Sequence, residues 1–274
     1  MLANNVNGPR GLAGQLDGDC LDELSDVLFG LKQGLSVTKG CPIDAAGRPD
    51  RTLPIVISIF KKENRAPTMA GPTTDFWQAR FDNKETGWDR GAPSPQLLAW
   101  LESSALQPCR IAVPGCGGGW EVAELARRGF EVVAIDYTPA AVERTRALLS
   151  AQGLRAEVLQ ADVLSYQPDR PFDAIYEQTC LCALHPDHWV DYARQLRQWL
   201  KPQGSLWALF MQMVRPEATS EGVIAGPPYH CDINAMRALF PAQDWVWPRP
   251  PYEKVPHPNG AHELGLRLML RQGI

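Results

Sequence analysis

The residues whose types and spacing suggest chemistry begin at Val113-Pro-Gly-Cys-Gly-Gly-Gly119. Glycines let a chain turn tightly and bring its backbone close to a ligand. Asp136 follows Gly115 by 21 residues and closes the apolar run Phe130–Ile135. An acid at that distance suits a hydrogen-bonded clamp on a ribose diol. A second acid, Asp162 in Gln160-Ala-Asp-Val163, closes the next apolar run. There a carboxylate can accept the exocyclic amine of adenine while the Val163 amide reads a ring nitrogen. Each feature alone has a plain reading: the glycines as a tight turn, Asp162 as a turn or N-cap aspartate. Placed at the ends of successive strands, they read together as a nucleoside-type site.

Two ligand classes fit that geometry. A dinucleotide site carries G-x-G-x-x-G, whose third glycine lets helix and strand pack closely. Here the third position is Trp120, which is too large for that purpose. S-adenosylmethionine has no pyrophosphate and needs only the first part of the loop. Trp120 therefore tips the reading towards the methyl donor and away from a nicotinamide-dependent dehydrogenase.

The elements that must position these residues alternate from residue 109 onward. Cys109–Val113 reads as a strand and Glu121–Arg128 as a helix stopped by Gly129. Phe130–Ile135 is the next strand. Pro139–Ala151 is a helix with Thr138 as N-cap and Pro139 at its first position. Strands follow at Ala156–Gln160 and Phe172–Tyr176. His188–Leu200 is a helix with apolar or aromatic residues at 189, 192, 193, 196, 199 and 200. Gly204 marks a turn before a strand at Ser205–Met211. Asp232 caps a helix over Ile233–Phe240, and strands are expected at Trp245–Trp247 and Glu263–Leu270. This alternation predicts an α/β fold, a class I methyltransferase (Rossmann-like) sandwich. Its sheet is mostly parallel, with an antiparallel C-terminal strand.

Residues 1–68 stand apart from that rhythm. They offer one short helical pattern, Leu21–Leu31, and one apolar run, Leu53–Phe60. They are read as a weakly structured extension or as sequence ahead of a true start at Met69, with the methyltransferase domain at 69–274.

Composition narrows the classes further. In 274 residues the net charge is −4 and no basic stripe appears, so nucleic acid is not an expected partner. No apolar run approaches the roughly 18 residues that span a bilayer, and no secretory leader is evident. The seven cysteines are odd in number and scattered. Cys180-Leu-Cys182 lacks CxxC spacing and no second cysteine–histidine pair completes a zinc site, so no metal is expected. These features predict a cytoplasmic monomer acting on a small molecule.

Several segments together resemble the thiopurine S-methyltransferase family. They are Phe76-Trp77-x3-Phe81, Gly87-Trp88-Asp89, the glycine loop, Ile135-Asp136, Cys182-Ala-Leu184 and Gly226-Pro-Pro-Tyr229. The similarity covers roughly residues 75–271 and is strongest to the thiol, thiocyanate and halide branch and its bacterial relatives. It implies methyl transfer from S-adenosylmethionine to a soft nucleophile. It also implies that Trp77, Phe81 and Trp88 are the aromatics around the cofactor, and that Gly115, Gly117, Asp136, Asp162 and Val163 bind it. Gln178, also implied as a cofactor contact, falls where plant relatives often carry Tyr near the cofactor, and Phe81 replaces a frequent Trp.

Aromatic faces attract a sulfonium cation, so the segment carrying Trp77 and Trp88 is expected to fold over the donor as a lid. The alternative is that both Trp merely anchor that segment. The acceptor pocket is expected at the ends of the fourth and fifth strands. Its candidate lining is Gln178, Thr179, Cys180, Met211, Met213, Pro227, Pro228 and Tyr229, with no firm catalytic base. Glu263, in His257-Pro-Asn-Gly-Ala-His262-Glu263, is read as a structural acid. The acceptor classes are thiol, hydrosulfide, thiocyanate or halide. The alternatives are thiopurine, selenium or tellurium compounds, or a non-catalytic S-adenosylmethionine-binding regulator.

Overall fold

The computed structural model describes residues 35–40, 56–61, 71–217 and 224–272. The chain divides into two units, Met1–Thr68 and Met69–Ile274. In the first, β1 (Leu35–Gly40) and β2 (Val56–Lys61) pair antiparallel. β2 overlaps the apolar run read as a strand from Leu53. The helix expected over Leu21–Leu31 lies outside the described residues.

The second unit is built on β3 (Arg110–Pro114), which is buried at every position. A strand covered on both faces reads as a continuous apolar run, and Ile-Ala-Val does so here. Its alternate side chains feed two cores. Ile111 and Val113 pack with α2 (Pro95–Glu102), α3 (Trp120–Arg127) and α4 (Pro139–Ala151) through Leu97, Leu101, Val122, Leu125, Val142 and Leu149. Ala112 faces the other core, where α6 (Trp189–Trp199) and α7 (Ile233–Leu239) bring Tyr192, Leu196, Trp199 and Met236.

The remaining strands are β4 (Glu131–Asp136), β5 (Glu157–Gln160), β6 (Phe172–Gln178), β7 (Leu200–Gln212), β8 (Trp245–Val246), β9 (Glu253–Pro256) and β10 (His262–Leu270). Their order in the sheet is β5-β4-β3-β6-β7-β10-β8, with β9 also on β10. β3 to β7 run parallel. β10 is antiparallel to β7, and β8 and β9 are antiparallel to β10. This is the mostly parallel α/β sheet that the sequence predicts, with three antiparallel strands at its C-terminal end instead of one. The chain goes from β3 outward to β4 and β5, then returns to β6 on the other side. The crevice beyond the C-terminal ends of β3 and β6 is therefore the topological switch point, where open sheets bind ligands.

Two local expectations need correction. Gly204 does not lie in a turn before its strand. β7 starts at Leu200, and its register on β6 jumps from Phe172–Leu200 to Ala174–Ser205. Gly204 sits in that bulge, where a Cβ would lie 2.9 Å from the Lys201 carbonyl oxygen. Thr138 has the extended backbone of an N-cap, but its side chain makes no cap bond to α4. Asp232 caps α7 as expected, accepting from the amides of Asn234 and Ala235. The helices α1 (Thr74–Asp82), α2 and α5 (Cys180–Ala183) and the strand β9 are additions to the sequence reading.

Gly119 starts α3 at φ +80°, and a Cβ there would lie 2.6 Å from Thr145 Oγ1 and 2.9 Å from its Cα. The close approach that a dinucleotide site obtains from its third glycine is thus made here one residue earlier, against α4. Gly119→Ala should destabilise the fold by about 1–3 kcal/mol from overpacking alone, read as a lowered thermal midpoint. An unchanged midpoint would mean that α3 and α4 can separate without cost.

Candidate active site

A cavity of about 420 Å³ opens over the C-terminal ends of the parallel strands. Its floor on one side is the glycine loop. Gly115 stands at φ +61°, and a Cβ on it would lie 2.8 Å from Cys180 Cβ, so this position requires glycine. The loop is fixed by backbone and by one carboxylate. Gly115 N–H donates to the Ile135 carbonyl (2.7 Å). Gly117 N–H donates to Asp136 Oδ2 (3.1 Å), and Thr138 N–H to Asp136 Oδ1 (2.9 Å). Asp136 is buried, and desolvation pushes its pKa up against the pull of those amides. Asp162 Oδ1 accepts from Leu164 N–H (2.9 Å), and its carbonyl accepts from Ser165 and Tyr166 N–H. This shapes the turn after β5 and puts Asp162 and buried Val163 in the cavity wall.

The opposite wall is aromatic. Trp77 and Phe81 come from α1 and Trp88 from the loop behind it, and all three line the cavity. Trp88 meets both others edge-to-face, at 5.4 Å (Trp77) and 5.8 Å (Phe81) between centroids. α1 is docked on α4: Gln78 Oε1 accepts from Ala140 N–H, and Arg144 donates to the Phe81 carbonyl. Beyond α1 the chain is tethered twice more. Asp89 Oδ1 accepts from the Trp120 indole N–H (2.8 Å). Arg90 donates to the Pro256 carbonyl and lies 3.7 Å from Glu263 Oε2. Trp120, which in the sequence only argues against a dinucleotide, thus holds the lid segment to the glycine loop.

Thr179, Cys180, Met211, Met213, Pro227 and Pro228 line the same cavity, together with Cys182, Ala183 and Leu184. Two candidates do not. Gln178 lines a smaller adjoining pocket with Trp88, Asp89, Arg90, Glu121 and Thr179. Its amide donates to Glu263 Oε2 (2.9 Å), and its oxygen accepts from the Tyr176 hydroxyl (2.6 Å). Tyr229 is buried behind the wall, edge-to-face with His185 and directly under Gly226. The hydroxyl that the sequence offers to an acceptor belongs to a ring used in packing.

Burial pushes the thiols of Cys180, Cys182 and Cys231 far up, so they stay protonated and inert. Among the described residues no group of three or more His, Cys, Asp or Glu is arranged to hold a metal. Thr179 adopts φ +65°, a left-handed conformation in a non-glycine residue at the seam of both pockets. The sequence reading missed Arg80, Glu85, Tyr137, Arg215, His257 and Asn259 as wall residues. Tyr137 was detectable as the neighbour of Asp136. His257 and Asn259 were not, because they reach the site from a turn 120 residues further along.

A family model described as thiopurine S-methyltransferase matches residues 72–267. The chain is 31% identical over 174 residues to a probable thiol methyltransferase 2 of Arabidopsis thaliana, covering 63% of this chain and 74% of that one. It is 30% identical over 185 residues to a thiopurine S-methyltransferase of Pseudomonas aeruginosa (strain UCBPP-PA14), covering 61% and 81%. Among solved structures, one described under conversion of a disulfide bond into a thioacetal group during echinomycin biosynthesis superposes with a TM-score of 0.60. It is 22% identical and covers 72% of this chain and 92% of that one. The 1,6-didemethyltoxoflavin N1-methyltransferase of Burkholderia thailandensis, with bound 1,6-didemethyltoxoflavin and S-adenosylhomocysteine, gives a TM-score of 0.57. It is 18% identical and covers 73% and 87%. At those identities the likeness speaks to the fold.

Asp136→Ala should weaken S-adenosylmethionine binding by about 1–3 kcal/mol, the cost of leaving buried polar partners unmatched. Calorimetric titration checks this, and unchanged affinity would leave Asp136 only its tethering of the loop. A second expectation concerns pH. Glu263 is fully buried, and desolvation pushes its pKa from 4.5 up to about 8, in spite of Gln178 and Arg90. Between those values the folded chain holds a proton that the unfolded chain releases, so stability falls as pH rises through that window. Glu263→Gln, always neutral, should flatten that fall in thermal midpoints taken from pH 5 to 8.5. Equal slopes in the two proteins would mean that Glu263 is already ionised in the fold.

Proposed function

The chain belongs to the thiopurine S-methyltransferase family, and from that premise we propose that its acceptor is a small thiol, hydrosulfide, thiocyanate or halide. The protein is an S-adenosylmethionine-dependent methyltransferase acting on a small sulfur nucleophile. S-adenosylmethionine supplies a methyl group on a sulfonium, which leaves as a neutral thioether when an acceptor lone pair takes the methyl.

The residues present fit that group. Glycines at 115 and 117 let the loop approach it, and Asp136, Asp162 and Val163 offer the partners for ribose and adenine. Trp77, Phe81 and Trp88 turn aromatic surface into the cavity, where each good contact to a cation is worth about 0.5–2 kcal/mol. The smaller pocket holds a guanidinium, Arg90, beside the carboxylates of Asp89 and Glu121, a set suited to an amino-acid tail. Gln178 belongs to that end rather than to the acceptor.

One observation carries the acceptor class: the cavity wall brings together Cys182, Leu184, Met211, Met213, Pro227 and Pro228, with Arg215, His257 and Asn259 beside them. Thioether and thiol sulfur are soft and polarizable, and such a lining suits a polarizable nucleophile better than a hard oxygen one. None of those six residues carries a carboxylate or amine that would serve as a base. Thiolates and halides arrive with the attacking pair in place, so the protein's work is orientation and removal of water. A volume of 420 Å³ is at the small end of ligand sites, about 300–1,000 Å³. Donor and acceptor must share that volume, which favours a small acceptor over a fused-ring thiopurine. No described helix is long and apolar enough to cross a membrane. The described cysteines are all free, which supports placing the protein in a reducing cytoplasm.

Labelled-methyl transfer to a panel of hydrosulfide, aliphatic thiols, thiocyanate, iodide and a thiopurine tests the proposal. Turnover should be highest for the small soft acceptors and lowest for the thiopurine. Tight cofactor binding with transfer to none of them would favour the regulator reading instead.

A further inference from the structure

His257 is the first residue of the turn that joins β9 to β10, and it is a wall residue of the cavity alongside Asn259 and Met213. The turn is heavily self-bonded. His257 N–H donates to the Ala261 carbonyl, and Gly260 N–H to the His257 carbonyl, both at 3.0 Å. Ala261 N–H donates to Asn259 Oδ1 (3.0 Å), and Gly260 sits at φ +85°. Asn259 Nδ2 reaches Met213 Sδ at 3.7 Å, so the turn is also tied to the sulfur-lined end of the cavity.

That frame fixes the imidazole chemically as well as spatially. Asn259 N–H donates to His257 Nδ1 (3.3 Å). A neutral imidazole that accepts at Nδ1 carries its one proton on Nε2. His257 is only 5% exposed, and Nε2 has no partner on the protein. Burial and the Arg90 charge hold its pKa below the ordinary histidine value, so the ring stays neutral. An unmatched buried donor is costly, and native folds rarely keep one without a use.

We propose that His257 is a specificity-determining residue. It donates its Nε2–H to the lone pairs of a small anionic acceptor seated against Met213. The soft lining offers polarizability, and this group supplies a directional contact that prefers an anion over a neutral soft molecule. The proposal rests on the S-methyl-transfer reading and adds the charge state of the acceptor. His257 touches the nucleophile in its ground state and takes no proton from it, so the transfer itself needs no histidine base.

Binding of thiocyanate to the protein loaded with S-adenosylhomocysteine tests this without turnover. His257→Leu should weaken thiocyanate by about tenfold or more, the effect of losing one hydrogen bond to a charged group. His257→Gln, which keeps an N–H donor, should recover most of that loss. Binding of S-adenosylhomocysteine should stay unchanged in both, which a merely structural role for His257 would not predict. Wild-type thiocyanate affinity in a folded His257→Leu variant overturns the proposal. Should that variant fail to fold, His257→Gln and His257→Met are compared, and equal thiocyanate affinity in those two overturns it. Failure of the wild type to methylate any acceptor while it still binds thiocyanate would count against the proposed reaction and leave the anion contact standing.

Discussion

The site depends on one carboxylate held beside the point where the strand order reverses. Asp136 ends β4, and its two oxygens accept the amides of Gly117 and Thr138. One group therefore joins the glycine loop to the start of α4. With the loop so fixed, Gly115 can lie against Cys180 and Gly119 against Thr145, at distances that exclude any side chain. The burial that raises the Asp136 pKa also removes competing water from those amides. A ligand hydroxyl added to that carboxylate joins a network already in place. Little ordering cost then falls on the binding step.

The lid is tied to this network rather than laid over it. Trp120 begins α3 directly after the loop, and its indole holds Asp89, while Arg90 reaches Pro256 and Glu263 on the far side of the sheet. Trp88 stands just before those two residues and meets Trp77 and Phe81 edge-to-face. The aromatic wall is thereby positioned from the glycine loop at one end and from the C-terminal strands at the other. Both Trp face the cavity and pack on one another within the segment, while Gln78, Asp89 and Arg90 tie it to the rest of the domain.

Much of the fold and half of the site were legible in the chain because local rules governed them. The Pro139–Ala151 helix has its boundary residues in the sequence, and β3 declares its burial by an unbroken apolar run. The glycine loop and the two strand-end acids follow from strand spacing. What escaped depends on contacts between distant segments. α1 is short and weakly amphipathic, and it is a helix at this place because Gln78 and the Phe81 carbonyl find partners on α4. Gln178 has the right strand position for the main cavity, but a tertiary partner, Glu263, draws its amide into the adjoining pocket. Tyr229 has the right loop, yet Gly226 leaves space that its ring fills. No periodicity encodes either outcome.

On the proposed reading, the make-up of the cavity accounts for a sulfonium and an anionic acceptor being held side by side. The sulfonium needs negative potential without a nucleophile nearby, and aromatic faces offer that with no atom to be methylated. The acceptor needs water removed without a proton pulled away. The thiols that line its end are buried and protonated, so they do not compete for the methyl. Glu263, behind Gln178 at the smaller pocket, has its pKa pushed up to about 8 by burial in spite of Arg90. The same burial that raises the thiol pKa values thus keeps rival sulfur nucleophiles in the wall from taking the methyl.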